Sequence, residues 1–352
     1  MMLSLILLKV IFPSKKWTEE SANKLEYIKN ETLTIFQHTF NTFFIELTYA
    51  LILVLSLLIA VAYFTLAERK IMGGIQRRKG PNIAGFWGLL QPLTDGVKLL
   101  TKENIIPKKS NYFLFVLSPV ITFTIAFTLW GTLPLTKTSP AILAELNMLC
   151  ILALSSISVF GLLLAGWSSN SKYAFLGTLR SVAQMISYEI IISFIFVFFA
   201  MLTGSLNLYD IVLYQKNNWF IFLFFPLFLL FFIAMLAETN RAPFDLPEAE
   251  AEIVAGYNIE YSGIAFALFF LGEYANMLFM STLIVLLFLG GWLNGLFAFI
   301  LKITFFNAFF VITRASLPRI RYDQLLSLCW KYFLLFLLIF FILFFFFWFF
   351  LI

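Results

Sequence analysis

Charged residues are scarce in this chain. Asp, Glu, Lys and Arg make up 12% of its 352 residues, about half the share of a soluble domain. An ordinary water-soluble globule is therefore excluded. Histidine occurs once, at His38, and cysteine twice, at Cys150 and Cys329. Neither cysteine has a CxxC partner or a neighbouring histidine, so a zinc or iron–sulfur site built by this chain alone is not expected. Two buried reduced thiols are the plain reading. A glycine-rich phosphate loop and a Ser/His/Asp set are also missing. Nothing equips the chain to hold a nucleotide or to form a covalent intermediate, and no nucleic-acid partner is implied. Alternation of apolar and polar residues is absent too: residues 336–352 are apolar without a break, which argues against a membrane β-barrel.

Long apolar runs are what the chain has in abundance. Hydrophobic residues reach 61%, mean hydropathy is +0.93, and 46 residues are Phe. A membrane-spanning helix needs about 20 apolar residues, at about 1.5 Å of rise each. Runs of that kind fall near 43–66, 112–135, 143–166, 183–203, 218–237, 262–290, 293–313 and 331–352. The expected fold is an all-α polytopic membrane protein with about eight transmembrane helices and long loops on one side. Residues 42–352 read as one transmembrane domain. Residues 1–41 read as an N-terminal extension of mixed charge. Its apolar stretch, 3–12, is too short to span; a cleaved presequence stays open, with Glu19, Glu20, Glu26 and Glu31 more acidic than a typical transit peptide. The phenylalanine excess points to an AT-rich genome, such as an organellar one.

Basic residues orient the chain. Loops on one side carry Arg69, Lys70, Arg77, Arg78, Lys79, Lys98, Lys102, Lys108 and Lys109, then Lys172, Arg180, Arg241 and Arg314. Short loops on the other side carry only Lys137 and Lys216. The positive-inside rule puts the basic side in the matrix or cytoplasm. The long loops, 67–111, 167–181, 238–261 and 314–330, lie on that side, and long loops in a compact protein tend to meet partners.

Ionisable groups within apolar spans are costly, at least about 2.5–3.5 kcal/mol each. Glu189, Glu273 and Lys302 stand out, the lysine near the middle of its run. Two readings are open: carboxyl groups that take and release protons, or a buried Glu–Lys pair that fixes packing. Residues 238–252 hold Glu238, Asp245, Glu248, Glu250 and Glu252. Pro243 and Pro247 break the preceding helix. Asp245 followed by Glu248 reads as a capping box with a helix starting near Leu246. Glu248 and Glu252 then share a face, either as an acidic solvated helix or as coupled carboxylates. Glu68-Arg69-Lys70 reads as an interfacial cluster with snorkelling side chains, and Arg77-Arg78-Lys79 as a lipid anchor or the rim of a polar entrance.

At these loops the sequence resembles a known family. Ala67-Glu-Arg-Lys70, Gln76-Arg-Arg-Lys-Gly-Pro-Asn82 and Leu90-Gln-Pro-Leu-Thr-Asp-Gly-Val-Lys98 look like the first matrix loop of subunit 1 of NADH:ubiquinone oxidoreductase, respiratory complex I. Gly166-Trp-Ser-Ser-Asn-Ser-Lys-Tyr173 and Met185-Ile-Ser-Tyr-Glu189 resemble its third-to-fourth span region. The most specific motif is Ala237-Glu-Thr-Asn-Arg-Ala-Pro-Phe-Asp-Leu-Pro-Glu-Ala-Glu250, with Glu260-Tyr261 after it. Gly272-Glu-Tyr274 and Arg314-Ala-Ser-Leu-Pro-Arg-Ile-Arg-Tyr-Asp-Gln-Leu325 complete the set, with Lys302 twelve residues before Arg314. The likeness runs from about residue 43 to the end. Residues 1–41 have no counterpart in it.

The resemblance implies a membrane subunit at the junction of the complex's two arms, in the mitochondrial inner membrane. Ubiquinone would be the substrate. NADH, FMN and iron–sulfur clusters would belong to other subunits, and the partners would be the peripheral quinone-site subunits, membrane-arm subunits and lipids. Arg69, Arg78, Asp95, Phe244 and Arg314 would line the quinone entrance and chamber. Glu189, Glu238, Glu248, Glu250, Glu252, Glu260 and Glu273 would begin a proton-coupling acidic chain, with Arg241 and Lys302 tuning its charge. The competing reading is a stand-alone cation/proton antiporter or channel. It expects inverted repeats and broken half-helices, and no clear repeat is present.

Overall fold

In a computed structural model, the described residues are 15–136, 144–245 and 256–351. Among them no strand occurs. By its contacts the chain divides into Met1–Ser56 and Leu57–Ile352. The described part of the first unit belongs to helix α1 (Lys15–Ile75). The second unit holds every functional group discussed below.

After α1 come a short surface helix, α2 (Gln91–Thr101), and three long apolar helices, α3 (Tyr112–Trp130), α4 (Asn147–Ser169) and α5 (Lys172–Thr203). Three short helices follow, α6 (Leu208–Tyr214), α7 (Phe220–Leu223) and α8 (Phe225–Glu238). The chain then runs through α9 (Gly263–Phe288), α10 (Leu296–Ser316), α11 (Tyr322–Ser327), a π-helical turn at Leu328–Phe333 and α12 (Leu334–Leu351). Among the described residues, seven stretches are long and apolar enough to cross a membrane: Glu46–Ile75, α3, α4, α5, α9, α10 and Tyr322–Phe346.

The remaining expected span, 218–237, is broken in two. Phe224 leaves the helical conformation between α7 and α8, with Pro226 in the first turn after it. Proline has no N–H to continue the ladder, so the break falls at the preceding residues. Together the two pieces are long enough for one crossing. At their start, Trp219 lies under the Lys302 ammonium at the beginning of α10. At their finish, Arg241 reaches Glu68 near the end of α1. Residues 220–238 give roughly 28 Å of rise, about the thickness of the hydrocarbon layer.

Five helices close a ring. α3 packs between α4 and α9, α4 against α5, α5 against α8, and α8 against α9. Small residues allow the approach. A Cβ on Gly161 of α4 would lie 2.4 Å from Thr122 Cγ2 on α3, and one on Gly177 of α5 would lie 2.7 Å from the Gly256 Cα. Helices in lipid associate by this kind of close packing. α9 is the most enclosed of the long helices. Pro119 within α3 frees the Phe115 carbonyl, and the Ser118 hydroxyl donates to it at 3.3 Å, so no backbone acceptor is stranded in the apolar layer. α5 is 32 residues long, about 48 Å. It begins well before the expected position 183, and its first turns reach beyond the hydrocarbon on the basic side.

Candidate functional site

The turn after α8 places the first functional groups. α8 stops because Asn240 adopts a left-handed backbone, φ 49°, which asparagine tolerates at a helix end. The Asn240 N–H donates to the Ala237 carbonyl at 3.2 Å and the Arg241 N–H to the Leu236 carbonyl at 3.1 Å, closing a Schellman turn. Gln184, buried on α5, clamps the loop at both ends. Its amide donates to the Ala237 carbonyl at 2.8 Å and to the Phe244 carbonyl at 3.0 Å. The Ile320 N–H holds Pro243 from the other side at 3.0 Å.

Neighbouring side chains then part company. Glu238, Thr239 and Asn240 line one cavity, and Arg241 lines another. α9 divides in the same way. Gly272, Glu273 and Asn276 face the first cavity, Met277 faces the second, and the Tyr274 hydroxyl donates to Glu68 in the second.

The first cavity lies inside the five-helix ring and measures about 40 Å³. Thr122, Ser158, Leu162, Tyr257 and Phe269 complete its wall. The Tyr257 hydroxyl donates to Glu273. Glu238 is 7% exposed and within electrostatic reach of Glu189. Glu189 accepts from Ser155 Oγ at 2.9 Å. Ser155 sits one helical turn from Ser158, which faces the cavity. The structure therefore assembles Glu189, Glu238 and Glu273 from three helices into one neighbourhood. Such an array can hold and pass protons.

The second cavity is smaller, about 10 Å³, and is lined by Phe64, Glu68, Arg241, Met277, Phe310, Val311 and Arg314. Glu68 is 4% exposed. It forms an ion pair with Arg314 and has the Arg241 guanidinium 3.8 Å away. Arg241 also lies over the Tyr274 ring at 4.7 Å, a favourable contact for a planar cation. Two guanidinium groups face the Glu68 carboxylate beside an apolar wall. That combination suits an amphipathic ligand with acceptor oxygens. The interfacial, snorkelling reading of Glu68 is thus replaced by a buried one.

The other expected residues scatter. Arg69 and Asp95 pair at 2.8 Å, both partly exposed, with the Gln91 amide on Asp95 at 3.0 Å. Arg78 is exposed and donates to Gln76 at 2.8 Å. Phe244 is buried, its ring 5.9 Å from that of Tyr188. Asp245, expected as a helix cap, is buried with Arg319 at 3.5 Å; the expected helix, with Glu248, Glu250 and Glu252, lies outside the described residues. Glu260 is half-buried just before α9. Lys302 is not at mid-span, because α10 starts only after Gly295. Its ammonium donates to the Leu289 carbonyl at 2.7 Å and lies 4.4 Å over Trp219. That is the far end of α9, roughly 24 Å of helix from Glu273. There it complements the carboxyl end of the helix dipole, and a Lys302–Glu273 pair is excluded. Cys329 is buried, whereas Cys150 is only half-buried.

Tyr257, Tyr274, Asn240 and Asn276 were not legible as site residues. Only the Gly-Glu-Tyr and Glu-Thr-Asn-Arg contexts flagged their neighbours.

Comparison with known proteins agrees with the motif pattern. The NADH dehydrogenase family profile matches residues 48–345. NADH-ubiquinone oxidoreductase chain 1 of Chondrus crispus is 52% identical over 293 residues, covering 80% of this chain and 90% of that protein. An NADH-quinone oxidoreductase subunit of the bacterium Paramagnetospirillum magneticum is 54% identical over 296 residues, covering 81% and 86%. The Arabidopsis thaliana chain 1 is 52% identical over 295 residues, covering 80% and 90%. Nothing in these matches favours a stand-alone antiporter. With its helical membrane fold and a match over most of its length, the chain belongs to the NADH dehydrogenase family, in the branch of NADH-ubiquinone oxidoreductase chain 1 and its bacterial NADH-quinone counterpart.

Proposed function

We propose that this chain forms the quinone entrance chamber of a proton-pumping complex I in the mitochondrial inner membrane and the start of its proton-coupling path. Its long basic loops face the matrix in this reading. The substrate is ubiquinone, whose reduction to the quinol takes two electrons and two protons. The electrons come from NADH by way of FMN and iron–sulfur clusters in other subunits, and the peripheral quinone-site subunits dock on the matrix-side loops. Arg314 and Arg241, gathered at Glu68, supply guanidinium donors toward which a quinone oxygen is drawn. Arg69, Asp95, Arg78 and Phe244 belong to the approach. Glu189, Glu238 and Glu273 begin the acidic chain; Glu260 and, outside the described residues, Glu248, Glu250 and Glu252 extend it.

One observation carries the reading: residues adjacent in the chain split between the two clusters. Glu238 and Arg241 share one tight turn, and Glu273 and Tyr274 share a peptide bond, yet each pair faces both cavities. A change in charge at the arginine cluster is therefore transmitted through a rigid turn to the carboxyl groups.

The test is Glu238→Gln and Glu273→Gln in the assembled complex, reconstituted into vesicles. Each variant should lose most coupled proton translocation, roughly tenfold or more, while NADH oxidation by a water-soluble artificial acceptor persists. Unchanged translocation in both variants would remove the acidic-chain assignment.

A further inference from the structure

The wall of the cavity inside the ring holds unpartnered hydrogen-bond acceptors. Three of its oxygen atoms have no partner among the described residues: Glu238 Oε2, Asn240 Oδ1 and Asn276 Oδ1. Glu238 is more than nine-tenths buried. One unpaired buried acceptor costs about 1–3 kcal/mol, so three around one space call for donors within it. The hydroxyl groups of the wall are committed elsewhere. Thr239 donates to the Met235 carbonyl at 2.9 Å, Ser158 to the Ser155 carbonyl at 2.6 Å, and Thr122 to the Pro119 carbonyl at 3.0 Å. Tyr257 donates to Glu273. Among the described residues the orphaned atoms of the wall are therefore all acceptors, and a molecule within the cavity that donates would satisfy them.

Water is the occupant that fits. A space of about 40 Å³ holds about three water molecules at roughly 10–15 Å³ each, and polar cavities of this size are filled. Each water brings two donors, so a few waters satisfy all three orphaned oxygens and retain hydrogens to bond one another.

We propose that Asn240 and Asn276 are positioning residues that hold a short row of waters between Glu238 and Glu273, along which a proton passes from one carboxyl group to the other. This rests on the reading above that those carboxyl groups carry protons. Neither asparagine titrates. By accepting from a water they fix where its second hydrogen points. In the transfer, the protonated Glu gives its proton to the first water, each water passes one on, and the last water protonates the other carboxylate. One proton moves, and every water is restored.

The backbone offers clean substitutions. Asn240 has a left-handed φ, so Asn240→Gly removes the amide without straining the turn. Asn276 lies within α9, where leucine matches it in size and excludes water. Serine there is smaller, retains an oxygen and leaves room for an extra water. The experiment uses the whole complex with Asn276→Leu, Asn276→Ser, Asn240→Gly and, alongside, Glu238→Gln and Glu273→Gln. It reads NADH oxidation by an artificial acceptor, proton translocation per NADH, and the water O–H stretching bands in infrared difference spectra between oxidised and reduced enzyme.

Asn276→Leu should keep acceptor activity, lose the water bands and lower translocation by roughly tenfold, a barrier change of about 1.4 kcal/mol. Asn276→Ser should regain translocation to within about threefold of wild type. Asn240→Gly should weaken the bands. If Asn276→Leu retains bands and translocation while the Glu→Gln variants lose translocation, the role given to asparagine is wrong and the acidic chain stands. Translocation surviving in the Glu→Gln variants overturns both. Bands that vanish on removal of sodium from wild type, marking a hydrated cation, also overturn the proposal.

Discussion

Glu68 stands last in an apolar run beside Arg69 and Lys70, where a charged triplet ordinarily marks the water boundary. What buries it comes from far along the chain: Tyr274 is 206 residues away and Arg314 is 246 residues away. No local pattern carries that information, and so the residue was legible as charged but not as central. Glu189 and Glu273 were legible for the opposite reason, since each interrupts a run that is otherwise apolar. Lys302 shared that signal but was misplaced, because the start of α10 depends on the conformation of Gly295 rather than on hydropathy. The buried cluster allows a sharp prediction. Glu68→Gln removes the carboxylate that pairs with Arg314 and lies 3.8 Å from Arg241, and removing one partner of a buried pair costs about 3–5 kcal/mol. The yield of assembled complex should fall severely on native gels. Glu68→Asp keeps the charge and should restore much of the assembly.

At the scale of elements, the apolar runs located nearly every helix, because spanning a bilayer demands a composition that little else requires. Helix ends were less legible, being set by single residues such as Asn240 and Pro226. The broken span before Glu238 is the clearest case, where hydropathy reads one helix and the backbone makes two. Contacts between elements were not legible at all, yet they form the cavity. Gly177 on α5 meets the backbone of Gly256, and that 3₁₀ turn, Gly256–Asn258, carries Tyr257 to Glu273. Gly177→Ala would set a Cβ 2.7 Å from the Gly256 Cα and 3.0 Å from its carbonyl carbon. Backbone on both sides cannot yield cheaply, so overpacking should cost about 1–3 kcal/mol. The fraction of complex surviving a heat step should drop, and translocation should drop with it as Tyr257 shifts. Gly96→Ala on α2 meets nothing within 4 Å. It should be neutral or slightly stabilising, since alanine favours helix by about 1 kcal/mol over glycine.

For the whole molecule, the broken span decides the topology. If α7 and α8 together cross the membrane, the turn that carries Glu238 and Arg241 lies on the same side as the end of α1 and the end of α10. The contacts of Arg241 with Glu68, and of Ile320 with Pro243, require that arrangement. At the opposite end, the Gln215 amide donates to the Leu286 and Leu287 carbonyls at 2.9 and 3.0 Å, which ties the start of this crossing to the finish of α9. Arg241, Arg314 and Glu238 then lie at the end of the bundle that carries the basic loops. In the proposed orientation, which follows the positive-inside rule, those loops face the matrix. Three exposed native residues report on this without mutation: Lys109, Lys216 and Arg321. Small membrane-impermeant amine and guanidine reagents, applied to mitoplasts and to inverted vesicles and read by mass spectrometry, separate the two faces. Lys216 should be modified only from the outer face, and Lys109 and Arg321 only from the matrix face. The reverse pattern would invert the orientation and leave the crossings intact. Arg321 modified together with Lys216 would mean that the broken span turns back within the membrane, and the acidic turn would then lie on the wrong side to serve a matrix-side quinone chamber.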